Sequence, residues 1–297
     1  MDGGDPDEYK LIETVKQVCP DDLIVTGGDP LVKSVSFYEQ LLKINNSMKL
    51  SFTTNLWDFY QHPEKWVDLF RNERVGVCTS FQYGDRRKKP DGTPYTEGDF
   101  VAVARKFEEY VGYVPPFISV ISDENEKYVY DHVKLAQRLG TTCKLNGVNP
   151  IGLANDYYPR YKMLRHYVHI YDLGLAEYEE NTRERSRGNC PFNTCDMCRH
   201  SNRSCCIAND GLRYSYCEDM SFLPPELNLS VESVDDLSKI QEQIKIPQEC
   251  LCCKMMNVCN GCTLHRFILH GKHHKNDKYC VEMGKLYDDL LRIGFKL

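Results

Sequence analysis

Short apolar runs alternate with amphipathic segments through the first half of the chain. Residues 23–25, 49–54, 75–81, 116–121 and 142–145 read as buried strands bounded by turn residues. Between them, 36–44, 62–71, 97–110 and 127–139 carry apolar residues at helical spacing. Strand–helix alternation at this pitch predicts parallel βα units, closed as in a barrel or open as in a wound sheet. Such folds hold their chemistry at the carboxyl ends of the strands. The segments at those ends are Gly27-Gly28-Asp29-Pro30, Thr54-Asn55, 80–84, 122–125 and 146–152, all rich in small or polar residues.

Residues 157–181 predict one long helix, with Tyr161, Leu164, Val168, Tyr171 and Leu175 on its apolar face. After Asn181 the regular alternation stops and the composition turns charged, then cysteine-rich. A domain boundary is therefore expected near Arg185, dividing the chain into 1–184 and 185–297. Residues 224–246 read as a connection with a short helix around 234–244, and 281–293 as a closing helix.

The net charge of −6 gives no field that would attract nucleic acid. The cationic run Arg86-Arg87-Lys88-Lys89 reads as a solvated loop, and Asp91-Gly92 as a hairpin turn. Residues 1–10 are acidic and lack an apolar stretch, so no secretory leader is expected. No run of about eighteen apolar residues occurs, so no membrane span is expected either. These features point to the cytoplasm, where thiols stay reduced.

Against that background the cysteines change the picture. Of 15 in the chain, 12 fall between Cys190 and Cys280. The last set reads Cys250-x2-Cys253-x5-Cys259-x2-Cys262, with Cys280 beyond it; ahead stand Cys190-x4-Cys195-x2-Cys198, Cys205, Cys206 and Cys217. A two-residue spacing lets both sulfurs turn toward one centre, which suits metal ligation. A disulfide scaffold is disfavoured, because a chain this long builds its own core. Spacing alone leaves zinc and iron–sulfur open, since both accept tetrahedral thiolates, and His200, His265, His270, His273 and His274 lie among the thiols. Cys78 and Cys143 lie in predicted strands and read as structural thiols rather than nucleophiles.

With the Gly-Gly-Asp-Pro turn after a strand and two cysteine arrays, the chain resembles radical S-adenosylmethionine (SAM) enzymes carrying a SPASM domain. The resemblance covers about residues 20 to 285. It implies an α/β fold: a partial (β/α)6 barrel, here missing its first strand, followed by a cysteine-rich SPASM extension. Gly27, Gly28, Asp29 and Pro30 look like that family's GGEP motif, which holds the SAM amino group; Asp29 is one methylene shorter than the usual Glu. Ser80 stands where a strand-end residue meets the ribose, and Asn125 where a later loop approaches the cofactor. The ligand pattern implies one auxiliary [4Fe–4S] cluster on Cys198, Cys217, Cys262 and either Cys190 or Cys195. A second would sit on Cys250, Cys253, Cys259 and Cys280. Cys205, Cys206 and Cys252 lie off the pattern. The spacing departs from it in two places: five residues separate Gly211 from Cys217, and two separate Cys259 from Cys262.

The family's SAM-cleaving cluster sits on CX3CX2C ahead of the GGEP turn. Before Gly27 this sequence has Cys19 alone. The chain as written is thus expected not to cleave SAM, either as part of a longer protein or as a degenerate member. The unpaired barrel edge left by the absent strand favours the former. The resemblance implies a parent activity of radical modification of a peptide or protein through a 5′-deoxyadenosyl radical, fed by an electron donor. No catalytic side chain is assigned. A non-enzymatic zinc-binding interaction protein and a cluster-bearing protein that binds without chemistry are the competing readings.

Overall fold

The computed structural model describes residues 7–84, 87–89, 91–148, 158–187, 206–207, 213–214, 230–231, 248–259 and 277–296. The chain divides into two compact units, Val15–Gly147 with Asp172–Glu180, and Met1–Thr14 with Val148–Tyr171 and Asn181–Leu297. The boundary expected near Arg185 falls inside a helix, α8 (Glu180–Ser186).

The unit built on Val15–Gly147 is α/β. Its five strands are β1 (Asp22–Val25), β2 (Lys49–Thr54), β3 (Val75–Ser80), β4 (Phe117–Ile121) and β5 (Cys143–Gly147). All pair in parallel, in the order β1-β2-β3-β4-β5. A doubly wound sheet reverses its strand order at a switch point; this one never does, which is barrel-type winding. Leu50 and Phe52 are buried on β2, and Val77 on β3, while their neighbours are more open, as a period of two requires.

Ahead of the sheet runs α1 (Glu8–Val18), which the residue pattern did not single out. The helices between strands form where capping and apolar spacing agree. In α2 (Val35–Leu42), Ser34 accepts from the Phe37 amide, and Phe37, Tyr38, Leu41 and Leu42 face inward. Trp57–Gln61 forms a short α3, also unforeseen, and Pro63 opens α4 (Pro63–Phe70). Helix α5 (Glu97–Val111) begins with a reciprocal Thr96–Asp99 capping box and ends at Gly112, whose φ is 104°. Helix α6 (Val129–Leu139) ends at Gly140 in the same left-handed way, φ 71°.

Aromatic rings join these helices to the sheet. Tyr38 meets Phe52 edge-on at 4.7 Å, Phe70 meets Phe52 at 5.6 Å, and Phe100 lies 5.0 Å from Phe117. The outer edge of β5 is covered by Glu179, which bridges Cys143 and accepts from the Leu145 amide at 3.0 Å. At the opposite edge, β1 pairs on one side only among the described residues, and Ile24 is 67% exposed.

The long helix expected over 157–181 is not one helix. Helix α7 (Arg160–Asp172) stops before Gly174, whose φ is 70°, and a 3-10 turn (Ala176–Tyr178) precedes α8. Its buried face is Met163, Leu164, Tyr167 and Ile170, rotated from the predicted stripe, and Tyr171 is exposed. The closing helix is likewise split, into α11 (Asp277–Gly284) and α12 (Tyr287–Arg292). Arg165 pairs with Glu282 at 2.6 Å, joining α7 to α11. Earlier in this unit, α9 (Gln248–Leu251) and α10 (Met256–Cys259) are single turns. A three-stranded antiparallel sheet is formed by β6 (Cys206–Ile207), β7 (Arg213–Tyr214) and β8 (Ser230–Val231). The β6–β7 pair flanks Asp210-Gly211; those two residues and the helix expected at 234–244 lie outside the described residues. No helix among the described residues is long and apolar enough to cross a membrane.

Candidate functional site

The carboxyl ends of β1, β2 and β3 bring together residues distant in sequence. After β1 the chain turns through Gly27 (φ 81°) and Gly28 (φ 55°), conformations that cost a residue with a Cβ. Open space surrounds the position a Cβ would occupy at Gly28. Asp29 then caps a 3-10 turn (Pro30–Val32), its Oδ1 accepting from the Leu31 amide at 3.1 Å. The same oxygen accepts from Thr54 Oγ1 at 2.7 Å. Thr54, 2% exposed at the end of β2, also accepts from the Leu56 amide at 3.0 Å. Leu56 is fully buried with φ 59°, a backbone state that is strained for leucine and imposed by this turn. Asp29 Oδ2 accepts no hydrogen bond among the described residues. The turn therefore presents one carboxylate oxygen, aimed by a second that is already held.

Ser80 closes β3. Its hydroxyl accepts from Arg87 Nη1 at 2.7 Å, and its carbonyl accepts from the same nitrogen at 3.0 Å. Arg87 was expected to lie in a solvated cationic loop; instead it is half-buried against the strand end. The hairpin at Asp91-Gly92 accounts for this placement. Lys89 and Thr93 pair at 2.8 Å, Gly92 turns with φ 82°, and the Tyr95 amide reaches the Arg87 carbonyl at 2.9 Å. Lys89 pairs with Asp99 at 3.2 Å. Burial draws the Arg87 guanidinium below its usual pKa, against the opposing pull of Tyr95 and Asp29, and it stays protonated. Tyr95 is 8% exposed, and its hydroxyl has no partner among the described residues. Burial raises its pKa, so the hydroxyl is neutral.

Asn125 has a different task. It is 2% exposed, its Oδ1 accepts from the Ser122 amide at 2.8 Å, and its Nδ2 donates to the Val120 carbonyl at 2.9 Å. Both ends of the amide serve the loop after β4, and no hydrogen bond joins it to Asp29, Ser80 or Arg87. Next to this loop His132 is fully buried, with Nδ1 toward the Tyr128 carbonyl and Nε2 accepting from the Tyr83 amide. Burial lowers its pKa to about 4.

Of the sequence-selected site residues, Gly27, Gly28, Asp29, Pro30 and Ser80 thus stand at the carboxyl ends of β1 and β3, on either side of β2, while Asn125 is a loop strut. Arg87 and Tyr95 were missed. The turn signal at Asp91-Gly92 located the hairpin, yet nothing local marks which cation of the run folds inward.

Cys190, Cys195, Cys198, Cys217 and Cys262 lie outside the described residues. Cys250 is buried in α9, and the Cys253 amide donates to its carbonyl at 3.0 Å. Cys259 ends α10 and Cys280 lies in α11. Among the described residues, no group of three or more His, Cys, Asp or Glu is placed to hold a metal ion. The second thiolate set is therefore not gathered in this arrangement. The thiols in the sheet are raised by burial: it pushes half-buried Cys78 up to about 12, with Glu180 adding to the rise, and holds Cys143 well above the usual thiol range.

No known family model matches the chain, and no curated protein matches it.

Proposed function

We propose that this chain is a radical SAM/SPASM-type protein that binds SAM at the carboxyl end of its parallel sheet. Its cysteine-rich half would carry iron–sulfur, and its parent activity would be radical modification of a peptide or protein substrate. The observation that carries this reading is Asp29. It follows two left-handed glycines, its Oδ1 is held by Thr54 and Leu31, and Oδ2 is left to accept from an ammonium group. The residues present fit SAM: open space over Gly28 for the ligand, a carboxylate for its amino group, and Ser80 at the end of the next strand but one with Arg87 bonded to it. Beside a reduced cluster, bound SAM would supply radical chemistry; Asp29, Ser80 and Arg87 of this chain would supply orientation and charge. The barrel-type strand order supports the same reading at the level of fold.

Equilibrium dialysis of the full chain with SAM tests it. Asp29→Asn should weaken binding by about tenfold, because a charge-assisted hydrogen bond becomes a neutral one. Anaerobic reconstitution followed by iron and sulfide analysis tests the cysteine-rich half. A protein that binds neither SAM nor iron overturns the proposal, and a colourless one with stoichiometric zinc replaces it with a zinc-binding interaction protein. The sequence holds no CX3CX2C, so reductant and SAM together should yield no 5′-deoxyadenosine from this chain.

A further inference from the structure

Cys252 and Cys253 adjoin in sequence and neither is buried: Cys252 is exposed and Cys253 half-exposed. They lie in the turn between α9 and α10. The Cys253 amide donates to the Cys250 carbonyl at 3.0 Å, and the Met256 amide to the Cys253 carbonyl at 2.9 Å. Cys250, Met255 and Val258 are buried on either side, and the Lys254 ammonium lies 4.0 Å from the Tyr287 ring of α12. The turn is thus pinned at its flanks while the cysteine pair stays accessible. Cys252 also stands outside both thiolate sets that the spacing marks. Cys19 is exposed as well, but no cysteine adjoins it.

We propose that Cys252 and Cys253 form a reversible redox-modification site, which a low-molecular-weight disulfide closes to a vicinal disulfide. The Cys252 thiolate attacks a sulfur of that oxidant, for instance oxidised glutathione; the S–S bond breaks and one glutathione leaves. The Cys253 thiolate then attacks the Cys252 sulfur and displaces the second glutathione. Two protein thiols lose two electrons, the oxidant is reduced to two thiols, and the two thiol protons pass to the departing sulfurs. Exposure sets the order, because the reagent meets Cys252 first. Adjacent Cα atoms are about 3.8 Å apart, below the roughly 4.4 Å at which disulfide-bonded pairs usually start. The closed ring is therefore strained and readily reduced, which suits a switch rather than a staple. The disulfide depends on these two thiols alone. Its consequence rests on the proposed function: there Cys253 is one of four sulfurs in the second set, and closing the ring withdraws it.

The test adds oxidised glutathione to the reduced, metal-free full chain. Remaining thiols are alkylated with iodoacetamide in denaturant, and the chain is digested with trypsin without reduction. Residues 246–254 form one tryptic peptide, which holds Cys250, Cys252 and Cys253. It should carry a single alkyl group, on Cys250, and be lighter by about 2 Da for the two lost hydrogens. Cys252→Ser should abolish this disulfide, and Cys253→Ser should leave glutathione on Cys252, since nothing displaces it. Excess reduced glutathione should reopen the wild-type ring. An alkyl group on Cys252, marking a Cys250–Cys253 link, overturns the proposal. So does glutathione that persists on wild-type Cys252, or a ring that survives excess reduced glutathione. Cobalt(II) titration then reads thiolate ligation by absorbance, without sulfide that would itself reduce the ring. The oxidised chain should bind less cobalt than the reduced one, and Cys252→Ser should erase the difference. Equal binding overturns the consequence for the second set. A reduced chain that binds no cobalt counts against the proposed function and leaves the disulfide standing, so the two failures are separable.

Discussion

Thr54 Oγ1 donates to Asp29 Oδ1 at 2.7 Å, tying the end of β2 to the glycine turn after β1. The hydroxyl is committed twice, because it also accepts from the Leu56 amide. Thr54→Val keeps the shape and removes both bonds. It should cost about 1–3 kcal/mol, since a buried amide and a carboxylate oxygen lose a partner. Urea unfolding measures that loss, and Thr54→Ser should recover most of it. Under the proposed function, Thr54→Val should also weaken SAM binding. An unchanged affinity would show that the turn needs no support from β2.

His132 makes stability depend on pH. Its folded pKa is depressed from 6.5 to about 4, so the unfolded chain takes up its proton first as pH falls. The associated stability is whole above pH 6.5 and is lost as pH falls toward about 4, with a full extent of about 3 kcal/mol. The urea midpoint of the wild type should therefore drop between pH 7 and pH 4.5 by more than that of His132→Gln. Equal drops would place the sensitivity elsewhere.

Two glycines with positive φ should respond differently to alanine. At Gly28 (φ 55°) the added Cβ meets open space, so Gly28→Ala should cost only the backbone strain, about 1–2 kcal/mol. At Gly294 (φ 88°) the Cβ would stand 2.5 Å from the Ser186 carbonyl oxygen. Backbone must shift as well as strain, and Gly294→Ala should exceed the cost at Gly28, by about 1–3 kcal/mol. Thermal unfolding of the two variants ranks them; the reverse order would contradict the packing of Gly294 on α8.

Thiol reactivity should follow burial rather than sequence position. Cys19 and Cys252 are exposed, whereas Cys143 is 1% exposed and Cys78 has its pKa raised to about 12. Brief iodoacetamide treatment of the native protein, followed by peptide mapping, should label the first two and spare the second two. Labelling of Cys143 at the rate of Cys19 would mean that β5 opens readily.

Much of the fold can be read from the residues because the relevant forces are local. Buried positions two apart mark β2 and β3, and the Thr96–Asp99 box and Gly112 bracket α5 within a residue or two of the expected ends. Where that reasoning failed, a competing local signal had been outweighed. The tyrosine spacing over 157–181 suggested one helix, but Gly174 takes φ 70° and ends it, and the buried face turned out to be Met163, Leu164, Tyr167 and Ile170. Asn125 was correctly placed in a strand-end loop, yet its amide is consumed by that loop's own backbone. Its residue type announces hydrogen-bonding capacity, not the partner.

The sequence alone determined the βα alternation, the glycine turn carrying Asp29 and the crowding of thiols after Cys190, since periodicity, turn chemistry and spacing act over a few residues. The tertiary structure decided the strand order, the tie from Asp29 to Thr54 across 25 residues, the cover that Glu179 gives β5, and the inward turn of Arg87 onto Ser80. Those contacts depend on parallel strands arriving in register with their carboxyl ends side by side. Local pattern sets which face of a strand is buried; only the assembled sheet sets which side chains meet at its end.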